Sequence, residues 1–75
     1  MWKEGTLKIY NSVFHYWIKV YTAPSHYGID GGKVSKLMIT REDMIVCNYD
    51  RGWDVEPEDP DTQLALEILL QGNNY

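Results

Sequence analysis

The chain has 75 residues, a formal net charge of −4, one cysteine and two histidines. A single cysteine excludes an internal disulfide, and no stretch approaches the ~20 apolar residues that span a membrane. The histidines and Cys47 are too widely spread to form pairs at metal-ligand spacing. We therefore expect one cytoplasmic domain over residues 1–75, without metal, cofactor or membrane contact.

The first two thirds of the chain alternate between apolar and polar residues, as strands do. Strands are predicted over residues 6–10, 13–21, 33–41 and 44–49. The turns between them are predicted at Asn11-Ser12, at Asp30-Gly31-Gly32 and at Glu42-Asp43. The second strand carries aromatic residues on both faces, so we expect its second face to be half covered by the following loop or by another chain.

A helix is predicted at the C-terminal end. Asp59 is a good N-cap and Pro60 suits the first helical position, while Gly72 is a natural stop. The expected buried stripe is Leu64, Ala65, Ile68 and Leu69. These elements predict an α+β fold, a four-stranded antiparallel β-meander with one C-terminal α-helix packed on the sheet.

Leu66 and Leu70 widen the apolar stripe of this helix beyond what one sheet face covers. Burying a leucine is worth about 1.5–3 kcal/mol, so leaving two of them in water would be costly. Either they pack against long side chains at the rim of the sheet, or they form the seam of a homodimer or another protein contact.

The charge is distributed unevenly. Residues 1–41 carry +4 and residues 42–75 carry −8, with six carboxylates between Asp50 and Asp61. This stretch is either a solvated loop leading into a helix N-terminus or an acidic patch for a basic partner. The basic residues are dispersed along the chain without a basic stripe, which predicts no direct nucleic-acid binding.

The segment Tyr49-Asp50-Arg51-Gly52-Trp53-Asp54 is the most distinctive part of the chain. It can form a structural clasp, with Gly52 in a conformation other residues resist, Arg51 paired to Asp50 or Asp54, and Trp53 folded onto the sheet edge. Alternatively, Tyr49, Arg51, Trp53 and Asp54 form a binding site, because tyrosine, arginine and tryptophan dominate interface hot spots. We predict a clasp that presents Arg51 and Trp53 as its binding face.

A glycine-rich loop offers a second candidate site, consisting of Ser25, His26, Gly31, Gly32 and Lys33. Walker spacing is absent, and a strand rather than a helix follows the loop. The loop is therefore either a plain hairpin connection or a contact for an anion through its backbone amides and the Lys33 ammonium.

The sequence gives little sign of catalysis. Cys47 lies in an apolar run, as inert core thiols do. The carboxylates Asp50, Asp54 and Glu56 lie in an acidic loop expected to be too exposed to shift a pKa usefully. We expect no enzymatic activity.

Three segments resemble an uncharacterised family, a domain of unknown function found in very short proteins of Gram-positive bacteria and their phages and prophages. They are the start Trp2-Lys3-Glu4-Gly5, the middle stretch from Pro24 to Leu37, and the motif Tyr49-Asp50-Arg51-Gly52-Trp53-Asp54. Family members often have arginine at the position of Lys33 and isoleucine at that of Val34. The resemblance implies a mobile-element context but no reaction, cofactor or catalytic residue.

The residues and the resemblance together predict a small non-catalytic protein-binding module, phage- or prophage-encoded, that modulates a host factor such as a defence component. The alternative is a small-ligand binder that sequesters an anionic metabolite or nucleotide through the glycine loop of residues 25–33.

Overall fold

The computed structural model of the chain describes residues 1–74. A five-stranded antiparallel sheet, whose strand order follows the chain, precedes one helix. The elements are β1 (Trp2–Ile9), β2 (Ser12–Val20), a 3₁₀ turn (Ile29–Gly31), β3 (Val34–Arg41), β4 (Met44–Asp50), β5 (Trp53–Val55) and α1 (Pro60–Asn73). The predicted α+β meander with a C-terminal helix is confirmed. Its strand number is wrong, because Trp53–Val55 turns back and pairs with β4.

The first strand starts earlier than the alternation predicts, at Trp2 instead of Thr6. Residues 2–5 pair with residues 16–19 of β2, and Gly5 lies opposite Tyr16, where a Cβ would come within 2.6 Å of the Tyr16 hydroxyl oxygen. The missing side chain therefore makes room for the tyrosine ring. Within residues 1–74, no helix is long and apolar enough to cross a membrane.

The hairpin turns follow the sequence closely. The β3–β4 turn lies at Glu42-Asp43 as predicted, and both residues have positive φ, 52° and 64°. Positive φ at both central residues gives a backbone twist that suits a two-residue hairpin loop. The β1–β2 turn lies at Tyr10-Asn11, one residue before the predicted pair, because Ile9 pairs with Ser12.

Only one face of the sheet is covered within the described chain. The core on that face consists mainly of aliphatic and aromatic side chains from four strands and the helix, including Phe14, Ile18, Leu37, Ile39 and Leu69. Helix α1 packs across β1 and β2. The segment of residues 21–33 contributes Ile29 to the same core and thereby closes the rest of this face.

The start of α1 is anchored to the sheet. The Asp59 carboxylate accepts from the Thr62 amide at 3.1 Å and from the Thr62 hydroxyl at 2.6 Å, which confirms the predicted N-cap. Both guanidinium NH groups of Arg41 also donate to it, at 3.0 and 3.2 Å. The hydrogen bond from the Thr62 hydroxyl and the contact with Arg41 lower the pKa of Asp59 to about 2. Strand β3 thereby fixes where the helix begins.

The end of α1 is anchored by Asn74, which is fully buried. Its Oδ1 accepts from the Val34 amide at 2.9 Å, and its Nδ2 donates to the Ile29 carbonyl at 2.8 Å. The Asn74 carbonyl also accepts from the Lys33 amide at 3.0 Å. These contacts explain why the helix passes Gly72, the predicted stop, and ends at Asn73.

The two anchors rotate the helix away from the predicted stripe. Leu64 and Ile68, predicted to be buried, are 40% and 43% exposed. Leu70 is buried and Leu66 packs against the core. Leu70 and Leu66 thus pack in or against the core and not at the rim of the sheet, and a homodimer seam through them stays a prediction.

Candidate functional site

The motif of residues 49–54 forms the corner between β4 and β5. Arg51, with φ of 60°, takes the left-handed conformation, so the expectation that Gly52 supplies it is wrong. The Arg51 amide donates to the Ser35 carbonyl of β3 at 3.1 Å, and the Asp50 amide donates to the Gly52 carbonyl at 2.9 Å. The first bond holds the corner against β3, and the second closes the turn within the motif.

Tyr49 is the buried anchor of this corner. Its hydroxyl donates to the Tyr27 carbonyl at 2.9 Å, and its ring meets the Trp53 ring edge-on with centroids 5.0 Å apart. Trp53, the cross-strand partner of Tyr49, remains 38% exposed. Of this aromatic pair, Trp53 alone offers substantial surface to a partner.

Arg51 is held by an aromatic ring and not by acids. Its guanidinium lies over the Tyr27 ring, 5.6 Å from the centroid. The ion pairs within residues 1–74 are Arg41–Asp59 at 3.0 Å and Lys36–Asp50 at 3.8 Å. The predicted pairing of Arg51 with Asp50 or Asp54 is therefore wrong. The corner is a clasp, but one that joins β4 and β5 to the loop containing Tyr27.

Tyr27, Arg51, Trp53 and Asp54 are exposed at this corner, and we call them the corner patch. Asp50 is exposed as well, but it pairs with Lys36 and is not counted in the patch. Three of the four come from the predicted binding site, whereas Tyr27 was missed. Its place in the patch depends on the fold of the 21–33 loop, for which the sequence offers no local signal. Arginine stacked on an aromatic ring loses less conformational freedom on binding than a free arginine would.

The glycine loop is occupied by its own contacts. The amides of Gly31, Gly32 and Lys33 donate to the carbonyls of Gly28, Ile29 and Asn74, at 3.0, 2.9 and 3.0 Å. The Ser25 hydroxyl accepts from the Tyr27 amide at 3.3 Å. A cavity of about 490 Å³ opens beside the loop, lined by residues 24–27 and Gly31. An anion there would meet side chains such as that of His26, because the amides already have partners.

The remaining chemically distinctive residue is Cys47, which is buried in the core. Burial raises the pKa of its thiol to about 12, so a nucleophilic thiolate does not form near neutral pH. Within the described residues 1–74, no group of three or more histidine, cysteine, aspartate or glutamate side chains is placed to hold a metal ion.

The second face of the sheet, which we call the open face, is the feature that sequence reasoning left unresolved. Alternation places on it the side chains of β1 and β2 residues such as Trp2 and Trp17. A groove of about 450 Å³ runs over it, lined by Trp2, Trp17, Met38 and Asn48 among others. The aromatic residues on both faces of β2 are the signal that pointed to it. Neither helix nor loop covers it within residues 1–74.

These features define a small α+β protein with a five-stranded meander, one C-terminal helix and an aromatic corner. The chain belongs to the family described as Domain of unknown function (DUF7678), whose model matches residues 1–74. No curated protein and no solved structure matches it.

Proposed function

We propose that this chain is a small non-catalytic protein-binding module whose partner contacts the corner patch. The observation that carries the proposal is that Tyr27, Arg51 and Trp53 are exposed at one corner, with Arg51 over the Tyr27 ring and Trp53 against the ring of Tyr49, whose hydroxyl bonds the Tyr27 carbonyl. Tyrosine, arginine and tryptophan are the residues most enriched in interface hot spots. Side chains that are already ordered lose little entropy on binding, so more of their contact energy becomes affinity.

The charge around the patch indicates the kind of partner. Asp54, Glu56 and Glu58 are exposed and form no ion pair within residues 1–74. Uncompensated carboxylates at the rim of an interface steer a basic surface toward it and exclude acidic ones. The partner surface is therefore basic, with a recess for an indole ring.

The partner binds side chains and does not extend the sheet. Strand β5 is the edge of the sheet beside the patch, but it has three residues and a register shift between Asn48 and Tyr49. Short, bulged and charged edges prevent strand addition. Recognition therefore depends on Trp53 and Arg51 and not on the backbone of β5.

For the biological setting, we propose a phage or prophage of Gram-positive bacteria and the host cytoplasm, where the protein modulates a host factor such as a defence component. The support is the resemblance carried by the Tyr-Asp-Arg-Gly-Trp-Asp motif, together with the single cysteine. Genomic neighbours would test it. Adjacent phage genes are the expected result, and a consistent housekeeping neighbourhood would contradict it.

The binding proposal is tested by affinity capture from a bacterial host lysate with the wild-type chain and Trp53→Ala. Tyr10→Ala is the matched control, because Tyr10 is an exposed aromatic residue in the β1–β2 turn, at the opposite end of the sheet. We expect Trp53→Ala to lose a protein that wild type and Tyr10→Ala retain. If a folded Trp53→Ala chain captures the same proteins as wild type, the corner patch does not bind.

A second candidate function is the binding of an anionic metabolite or nucleotide at the 25–33 loop, favoured by the cavity beside Ser25 and His26. Bound ligand stabilises the native state, so a nucleotide and cyclic-dinucleotide panel should raise the melting temperature of wild type more than that of Lys33→Ala. The absence of any shift in wild type would reject this candidate.

A further inference from the structure

The strand register gathers charges that are dispersed in the sequence. Lys8, Lys19 and Lys36 fall on the open face, together with the carboxylates of Glu4 and Asp50. Three lysines against two acids give this face a net charge of +1. The rest of the chain has four basic side chains against nine acidic ones, a net charge of −5, which accounts for the total of −4. The net positive charge of the open face therefore attracts anions, whereas the net negative charge of the remaining surface repels them.

Two of these lysines lie side by side. Lys19 and Lys36 are directly opposite each other in the β2–β3 ladder, an arrangement that costs free energy unless an anion neutralises it. The Lys19 ammonium is held over two rings, 5.8 Å from the Trp2 centroid and 5.3 Å from that of Tyr21. The single ion pair of Lys36, to Asp50, is long at 3.8 Å and solvent-exposed, so it is weak. Both ammonium groups are therefore available to a phosphate.

Flat aromatic surface lies next to this lysine pair. The groove on the open face is lined by Trp2, Trp17 and Met38, and the His15 ring centroid lies 6.0 Å from that of Trp17. Asn48 supplies an amide that can both donate to and accept from a base edge. A ligand that combines a flat ring with a phosphate fits these groups, and a nucleotide is that combination.

The shape of the site distinguishes a polymer from a free nucleotide. Sites for small molecules typically enclose roughly 70–90% of the ligand surface. The open face is the outer surface of a sheet and cannot enclose a ligand in that way. Aromatic residues along a sheet bind single strands instead, because successive bases stack on successive rings and the backbone follows nearby lysines.

We propose that the open face binds single-stranded nucleic acid, with bases stacked on Trp17 and Trp2 and two successive backbone phosphates at Lys19 and Lys36. The acidic remainder of the surface keeps the affinity modest and repels duplexes, whose charge density is higher. This activity uses residues outside the corner patch, so its test does not depend on whether the corner patch binds a protein.

The test uses the full chain with fluorescently labelled oligouridine and oligothymidine of about eight nucleotides. We expect saturable binding of at least one of them with quenching of tryptophan fluorescence. Two neutralised phosphates predict a log–log slope of affinity against salt of about −1.4. Trp17→Ala should weaken binding at least about fivefold, whereas Trp53→Ala, matched in chemistry but located in the corner patch, should change it less than about twofold.

A second variant keeps the test valid if Trp17→Ala fails to fold. Lys36 is partly exposed, so Lys36→Gln should fold normally, weaken binding and reduce the salt slope by about 0.7.

Any of three results overturns the proposal: neither oligonucleotide binds, uridine monophosphate binds as tightly as the oligomer, or light scattering shows a stable dimer that protects Trp17 from quenching. The last result would make the open face an interface between copies of the chain.

Discussion

Asn74 is predicted to be the most sensitive polar residue of the chain. Asn74→Ala leaves the Val34 amide without its buried partner and removes one of the two hydrogen bonds to the Ile29 carbonyl, which also accepts from the Gly32 amide. An unsatisfied buried polar group costs about 1–3 kcal/mol and a lost hydrogen bond about 0.5–1.5 kcal/mol, so the substitution should lower the free energy of unfolding by about 1.5–4.5 kcal/mol. A chain of this length has a total free energy of unfolding of roughly 4–11 kcal/mol, so the substitution would remove a large fraction of it.

The measurement is equilibrium unfolding in urea, with Asn73→Ala as the matched control. Asn73 lies one residue earlier, and its hydrogen bonds to Lys3 and Leu69 are exposed or partly buried. We expect the control to lose about 0.5–1.5 kcal/mol at most. If Asn74→Ala is no more destabilising than Asn73→Ala, Asn74 does not anchor the loop and helix as described.

Gly32 sharpens this prediction through a double-mutant cycle. A Cβ at Gly32 would lie 2.3 Å from the Asn74 carboxamide, although the Gly32 backbone, with φ of −94°, accepts alanine. Gly32→Ala alone should therefore cost about 1–3 kcal/mol by overpacking. In the Asn74→Ala background this clash disappears, so the two costs should be clearly less than additive. Full additivity would refute the contact.

Three further predictions concern other parts of the fold. The pKa of Asp59 is about 2 in the folded chain and ordinarily 3.8, so its contribution to the free energy of unfolding is present above about pH 4 and is lost as the pH falls toward 2. The urea midpoint of the wild-type chain should fall over this pH range, and that of Asp59→Asn should lack this component of the fall. Leu70→Ala should lower the free energy of unfolding by about 2–5 kcal/mol while Leu64→Ala, at an exposed position, should change it by less than about 1 kcal/mol; equal costs would contradict the helix orientation. Cys47 should react with a thiol reagent only as fast as the chain opens, and rapid reaction in native buffer would contradict its burial.

Local signals predicted most of the elements. The alternation from Val13 to Tyr21 and the Asp59-Pro60 helix start are complete within a few residues, so the sequence shows both directly. The three residues of β5 are too few for a period, and only pairing with β4 makes them a strand. Local sequence patterns also do not predict which face of α1 is buried, because the contacts of Arg41 and Asn74 that set it join residues distant in sequence.

In the candidate site, too, some residues are evident from the local sequence and others only from the fold. The residue types at positions 49–54 identified Arg51 and Trp53, and the structure leaves both exposed at one corner. Tyr27, twenty-two residues before Tyr49, joins them only through the fold of the intervening loop. The lysines of the open face are dispersed in the sequence, and their spacing does not show that the pairing of β2 with β3 places Lys19 opposite Lys36.

The most direct test of the central claim is quantitative capture of the partner by wild type and Trp53→Ala at equal concentration. A hot-spot tryptophan contributes at least about 2 kcal/mol, so the account predicts roughly 30-fold weaker capture of one specific protein by a variant that remains folded. Tyr10→Ala should match wild type. Equal capture of every protein by wild type and Trp53→Ala would contradict the assignment of the corner patch as a protein-binding surface.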